Sequence, residues 1–409
     1  MKIKILLLFL IISITSAAYG FAVGFLQIFP FSVIQEIKIS MKNYQICQRC
    51  VMDTSDHEIG FDELGFCNHC ETFLEDVKTI IPKGVERESQ LSDFLKAIKK
   101  SGKNKKYDCL IGVSGGVDSS YVAYIVKELG LRPLAVHMDN GWNSEEAVKN
   151  IRSLCNNLEI DYESYVLDWD EFRDIQLAVL KSSIPEVEIP TDIAITSILH
   201  KVASRNNIKF IIGGGNYATE GILPESWFYN PKDLILLKSI HRTFGTKKMK
   251  TFPTFDWKAE IYYKFFRRIK IVYLLNLLPF NKTEALELLK EKVGYHEYGG
   301  KHHESVYTRF VQSYIQPVKF NLDYRRATFS SQICAGEISR EQAMKELENL
   351  PYEMTQVIKD KDYASKKFGI PLQEFEEILN ASPKSYKDYP NDEKWLTLIY
   401  TLYIKYFRS

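Results

Sequence analysis

Ser114-Gly115-Gly116-Val117-Asp118-Ser119-Ser120 packs two glycines, an aspartate and three serines into seven positions. Before it runs Tyr107–Val113, short and apolar like a buried parallel strand; after it Tyr121–Leu129 reads as a helix closed by Gly130. A strand, a glycine turn and a helix together aim backbone N–H groups and a helix N-terminus at an anion. Gly115 and Gly116 let the chain approach a phosphate with no Cβ in the way. Ser114, Ser119 and Ser120 add hydroxyl donors, and Asp118 can hold Mg²⁺ against the phosphates. No lysine follows the glycines, which excludes the common P-loop, and the G-x-G-x-x-G dinucleotide pattern is absent too. The competing reading is a tight strand-to-helix turn with Asp118 as N-cap; the full string in this context favours phosphate.

Two other clusters carry chemistry. Cys47-Gln48-Arg49-Cys50 and Cys67-Asn68-His69-Cys70 form a C-x2-C pair of pairs with sixteen residues between them. That spacing suits a four-thiolate Zn²⁺ site, closed and therefore structural, with His69 a bystander; two disulfides or a redox pair are the alternatives. Gly299-Gly300-Lys301-His302-His303-Glu304-Ser305 continues through Tyr307 and Thr308 to Arg309. Lys301 and Arg309 could neutralise phosphate charge, and His302 or His303 could move protons near neutral pH. The spacing is not H-E-x-x-H, and a charged helix entry is the plainer alternative.

These groups need a scaffold. Residues 132–140, 162–167 and 209–212 read as further strands, and 145–158 and 191–206 as helices between them. The alternation predicts an α/β fold with a doubly wound parallel sheet, whose ligands sit beyond the carboxyl ends of the strands. His137 and Asp139 occupy one such end, although a hydrogen-bonded strand-end histidine is the simpler account of His137. Gly213-Gly214-Gly215-Asn216 and Glu220 occupy another. Gly215 and Asn216 could border a nucleotide and Glu220 could supply a second Mg²⁺ ligand, or the glycines could form a flexible turn. Asp192 falls at an expected helix start, where capping accounts for it. Residues 238–270 interleave Lys and Arg with aromatics, for a nucleic acid, a membrane surface or a protein partner. A mainly helical region is expected over 236–409, after a phosphate-loop domain at 100–235 and a cysteine knuckle at 41–75.

The chain has 409 residues, 45% hydrophobic and 26% charged, with a net charge of +1, which argues against a strongly basic nucleic-acid binder. Residues 5–34 carry no charge and follow Met1-Lys2-Ile3-Lys4. A signal peptide, a membrane anchor, or a start mis-called upstream of Met41 would each produce that pattern. Reduced, metal-ready thiols favour a cytoplasmic catalytic part, with inner-membrane association only through residues 1–40.

The loop at Ser114–Ser120 resembles the S-G-G-x-D-S-S/T signature of the PP-loop ATP pyrophosphatases. Together with Cys47–Asp53, Cys67–Cys70, Gly299–Ser305 and Asn321–Ala327, it makes the chain similar to the N-acetyl sugar amidotransferases of bacterial surface-glycan biosynthesis. The resemblance implies a sheet of the adenine nucleotide alpha hydrolase-like type. It implies an enzyme that releases AMP and pyrophosphate from ATP with Mg²⁺, and converts an acetamido group on a nucleotide-linked sugar to acetamidino. It also implies ammonia from a separate glutaminase through a channelling subunit, and no nucleic-acid partner. A tRNA-thiolating PP-loop enzyme is the rival reading, since some of these share the knuckle and loop. It would need a reactive cysteine near the loop, and neither Cys109 nor Cys155 is placed for that role.

Overall fold

Five strands pair in parallel in the order β3-β2-β1-β4-β5. They are β1 (Cys109–Gly112), β2 (Pro133–Asp139), β3 (Asp161–Val166), β4 (Phe210–Gly213) and β5 (Lys270–Tyr273). The computed structural model describes residues 44–297, 304–398 and 401. Lys301, His302 and His303 lie outside the described residues, as does the apolar segment before Tyr44. Among the described residues no helix is long and apolar enough to cross a membrane.

The central strands bury both faces. Leu110 and Ile211 turn to one side of the sheet, Ile111 and Ile212 to the other, as strand periodicity requires. One layer is built on α3 (Val117–Glu128), α4 (Glu145–Asn157) and α10 (Lys282–Val293), through Val122, Val126, Ile151, Leu154 and Leu289. The opposite layer holds α5 (Trp169–Ser182), α6 (Ile189–Arg205) and α8 (Leu234–Phe244). Ahead of β1 come α1 (Asn68–Ile80) and α2 (Gly84–Gly102); α7 (Tyr217–Glu220) and α9 (Trp257–Ile261) are short. After α10 follow α11 (Val306–Phe310), α12 (Tyr324–Ala335), α13 (Arg340–Leu347), α14 (Met354–Phe368) and α15 (Leu372–Asn380).

The strand order reverses between β1 and β4, so the crevice at the carboxyl ends of these two strands is where a ligand belongs. The phosphate loop follows β1, and the triple glycine follows β4.

The structure departs from expectation in two places. Lys270–Tyr273, at the end of the basic aromatic stretch, is the fifth strand, so the sheet extends past the boundary expected at 235. Its half-exposed Ile271 and Tyr273 mark it as an edge, which hides strand periodicity among the surrounding cations. Asp192 is no cap: α6 begins at Ile189 with Glu188 in the N-cap position, leaving Asp192 in the first turn.

Candidate active site and a closed cysteine site

The phosphate loop is held from several sides. Gly115 sits at φ +86°, and a Cβ there would lie 2.6 Å from the Ala147 carbonyl oxygen. Only glycine meets both conditions without strain. The buried Tyr295 hydroxyl donates to the Gly115 carbonyl at 3.0 Å. Within the loop the Gly116 amide donates to Ser114 Oγ (3.2 Å), and the Ser114 amide to Ser119 Oγ (3.3 Å). Gly116 is the N-cap of α3. The amides of Val117 to Ser119 therefore have no intrahelical acceptor and point out of the helix start. The anion-facing set is narrower than the whole loop: it is this first turn with its positive dipole end, and the serines mainly fix its shape.

Ser114, Gly116, Asp118 and Ser119 line a cleft of about 720 Å³. Gly213, Gly214 and Gly215 form a second wall with Tyr273, and Glu220 lies beside them. The triple glycine is close-packed rather than a flexible turn. A Cβ on Gly214 would meet the Ser119 amide nitrogen at 3.1 Å, and one on Gly215 would meet Glu220 Oε2 at 3.1 Å.

The third wall joins distant parts of the chain. The Ser144 amide donates to the Glu304 carbonyl at 2.8 Å, and Asn143 bridges Ser305 in antiparallel fashion. Glu304 thereby reaches the loop: a Cβ on Gly116 would lie 3.3 Å from its Oε1. Farther along α11 the Thr308 hydroxyl donates to Glu188 Oε2 at 2.8 Å. Glu304, Ser305 and Thr308 of the polar cluster thus reach the cleft at the mouth of the phosphate loop.

His137 lines the cleft but has both ring nitrogens engaged. Nδ1 lies 2.9 Å from the Val113 carbonyl, which can only accept, so Nδ1 carries the proton and Nε2 accepts from Asn143 Nδ2 at 3.0 Å. Burial lowers its pKa, although the Val113 carbonyl and the Asp139 charge pull the other way. The plainer reading of His137 holds.

Four other expected contacts are corrected. Ser120 is wholly buried behind the loop. Asp139 turns back, accepting from the Gly141 amide at 2.8 Å, as a short acidic side chain does in a tight turn. Asn216 caps α7, its Oδ1 accepting from the Thr219 amide at 2.9 Å. Arg309 does not face the cleft; it is drawn to the buried Asp360, donating from Nη2 at 2.6 Å.

Sequence reasoning missed Lys282, Asn143, Glu188 and Thr191, which also line the cleft. Each sits just past an element boundary in an otherwise ordinary context, so no motif flagged it. The cleft is acidic among the described residues, with Asp118, Glu188, Asp192, Glu220, Glu297 and Glu304 against Lys282. An anionic nucleotide enters such a cleft with divalent cations, and hard carboxylate oxygens at Asp118 and Glu220 are the donor type Mg²⁺ prefers.

The cysteine site is different. All four thiols are unbridged and fully buried. Sγ–Sγ separations are 3.8 Å for Cys47–Cys70 and 3.5 Å for Cys50–Cys67, and all four sulfurs lie within 4.8 Å of one another. Thiolates at about 2.3 Å from one tetrahedral Zn²⁺ stand about 3.8 Å apart, so the set fits a single ion. His69 points away, with Nε2 2.6 Å from Asp56 Oδ2. Around the site Arg340 donates to the Cys47 and Cys50 carbonyls, and Arg326 pairs with Asp53 at 3.1 Å. The knuckle thereby holds α12 and α13 through Arg326 and Arg340.

Comparison with known proteins agrees with this geometry. Residues 304–403 match the C-terminal domain of the WbpG-like LPS biosynthesis proteins, and residues 88–181 match NAD synthase. These two matches support a PP-loop protein of the kind found in LPS biosynthesis, with a WbpG-like C-terminal region. The chain is 29% identical over 132 residues to an uncharacterised protein of Methanocaldococcus jannaschii, covering 31% of this chain and 45% of that one. It is 37% identical over 75 residues to a tRNA(Ile)-lysidine synthase of Chlamydia pneumoniae, covering 18% and 23%. It thus spans less than half the length of these curated relatives. The NH3-dependent NAD synthetase of Campylobacter jejuni aligns over 70% of this chain and 98% of its own, with 15% identity and a TM-score of 0.29.

Proposed function

We propose that this chain activates an acetamido group on a nucleotide-linked sugar with ATP and replaces its oxygen with nitrogen, giving an acetamidino sugar for a surface glycan. The observation that carries the reading is the convergence of the loop at Ser114–Ser119 with Glu304 and Ser305, where the WbpG-like region begins, on one cleft.

An amide oxygen leaves poorly. Transfer of AMP onto it turns the leaving group into AMP, and ammonia then attacks the activated carbon. The first-turn amides of α3 would receive the departing pyrophosphate, and Asp118 and Glu220 would hold Mg²⁺, which would supply charge compensation there. Ammonia arrives from a separate glutaminase through a channelling subunit, since ammonium in water is unreactive. The four thiolates hold Zn²⁺ as a structural clamp.

The rival, a tRNA-thiolating enzyme, needs a reactive thiol at the cleft, and among the described residues no cysteine lines it. Cys109 is fully buried in β1, and burial pushes the Cys155 thiol up to about 11. The test is mass spectrometry of nucleotide-linked acetamido sugars incubated with the protein, ATP, Mg²⁺ and ammonium. The reading expects a product lighter by about one dalton, oxygen replaced by NH, that appears only with ATP. An unchanged sugar pool, or sulfur incorporated into tRNA, would reject it.

A further inference from the structure

The wall opposite the triple glycine carries a group that the activation chemistry leaves unused. Glu188 caps the start of α6 with its backbone, but its carboxyl makes no capping bond. Oε2 accepts from Thr308, while Oε1 is enclosed and has no hydrogen-bond partner among the described residues. Thr191 Oγ1, in the first turn of the same helix, is enclosed and unpartnered in the same sense. So is the hydroxyl of Tyr307, only 1% exposed and stacked on Trp142, which burial and the nearby Glu188 carboxylate keep protonated. Each unmatched buried oxygen carries a desolvation cost that a hydrogen-bond donor would relieve. Glu188, Thr191 and Thr308 line the cleft and Tyr307 lies beside Glu188, so a small cation with several N–H donors would satisfy these unmatched acceptors.

We propose that Glu188, with Thr191, Tyr307 and Thr308, is an ammonium site in the cleft wall, and that Glu188 is the base that converts bound ammonium to the attacking ammonia. This rests on the amidotransferase reading. One proton passes from NH4⁺ to the Glu188 carboxylate. The lone pair released on nitrogen forms the new C–N bond at the adenylated carbon. The C–O bond to AMP then breaks with its electron pair on the AMP oxygen, which takes a second proton from the adduct nitrogen. Two carboxylates share the neighbourhood: Asp192 on α6 and the enclosed Glu186 in the turn before it, with Tyr324 of α12 behind them. Burial, reinforced by the Asp192 charge and opposed by the Thr308 hydroxyl, pushes the Glu188 carboxyl up to about 7. A base poised there exchanges protons at neutral pH.

Two measurements test the site on the full chain, with Glu188→Gln as the isosteric uncharged variant. The first needs no turnover: thermal unfolding in ammonium chloride against sodium and potassium chloride. Ammonium should raise the wild-type Tm by about 2 °C more than either salt, and E188Q should lose that difference. Equal stabilisation by potassium, or an unchanged ammonium effect in E188Q, overturns the ammonium assignment. The second follows acceptor-dependent ATP–pyrophosphate exchange and amidine formation side by side, from about pH 6.5 to about pH 9. E188Q should keep exchange within about threefold, lose about a hundredfold of amidine formation at neutral pH, and recover as free ammonia becomes abundant. Wild-type amidine formation in E188Q, or a deficit equal at every pH, removes Glu188 from the role of base. Absence of exchange in the wild type would instead defeat the adenylation reading, and the salt comparison would still decide the ammonium site.

Discussion

The cysteine knuckle and the phosphate-loop cleft are both dense in polar chemistry, yet they face opposite ways. In the knuckle four sulfurs point at one another, leave no open position, and are wrapped by Arg49, Arg326 and Arg340. In the cleft the groups point outward into about 720 Å³, and glycines replace side chains wherever two backbones must come close. A closed set of ligands stabilises; an open set can bind and react. The knuckle holds two WbpG-like helices, α12 and α13, while Glu304 at the start of the same region reaches the loop.

The comparison breaks first at Asp118. Asp118→Ala should lower AMP release by about a thousandfold while Tm moves by no more than about 2 °C, read by product assay and circular dichroism. A large Tm loss would make Asp118 structural, like the knuckle. Cys67→Ser should do the reverse. Zinc measured by mass spectrometry should fall from one ion per chain to none, and the fold should lose at least about 3 kcal/mol. Fluorescence of Trp227, buried in the knuckle's apolar cluster, should report that loss. If C67S kept its stability, the clamp would be redundant.

Gly115→Ala sharpens the contrast at smaller cost. At φ +86° and 2.6 Å from the Ala147 carbonyl, the added methyl should destabilise by about 1–3 kcal/mol in denaturant melts and widen the loop enough to lower turnover. The smallest expected effect lies in neither region. Burial works to raise the Asp174 pKa, but the Thr246 hydroxyl, the Lys247 and Thr246 amides and His241 outweigh it and bring it down to about 2. A depressed folded-state pKa gives stability that is complete above the unfolded value near 4 and fades as pH falls towards about 2. Asp174→Asn should flatten the stability profile in that window and leave both sites intact at neutral pH; an unchanged acid profile would remove Asp174 from this role.

Much of this was legible in the residue order. The loop, four of five strands and the cysteine set are local signals: apolar runs, glycine pairs and fixed spacing. Asn281, directly before a helical run, caps α10. What stayed hidden depends on tertiary contact. The edge strand β5 lacks apolar alternation, since half of it faces solvent. Glu188 and Lys282 reach the cleft only because α6 and α10 begin there. Arg309 carries the charge expected of a phosphate ligand, but Asp360, fifty-one residues away in sequence, claims it. Ser120 ends the motif and Asn216 follows the triple glycine, yet the first is turned inward on α3 and the second is used as the cap of α7.

The central claim is that the first-turn amides of α3 receive pyrophosphate, leaving AMP on the acceptor. Incubation with ATP labelled at the α-phosphate, Mg²⁺, ammonium and a nucleotide-linked acetamido sugar tests it directly. The account predicts labelled AMP in equal number to the amidine formed, with pyrophosphate as co-product and no ADP. Labelled ADP with inorganic phosphate, or amidine formed without nucleotide cleavage, would contradict it.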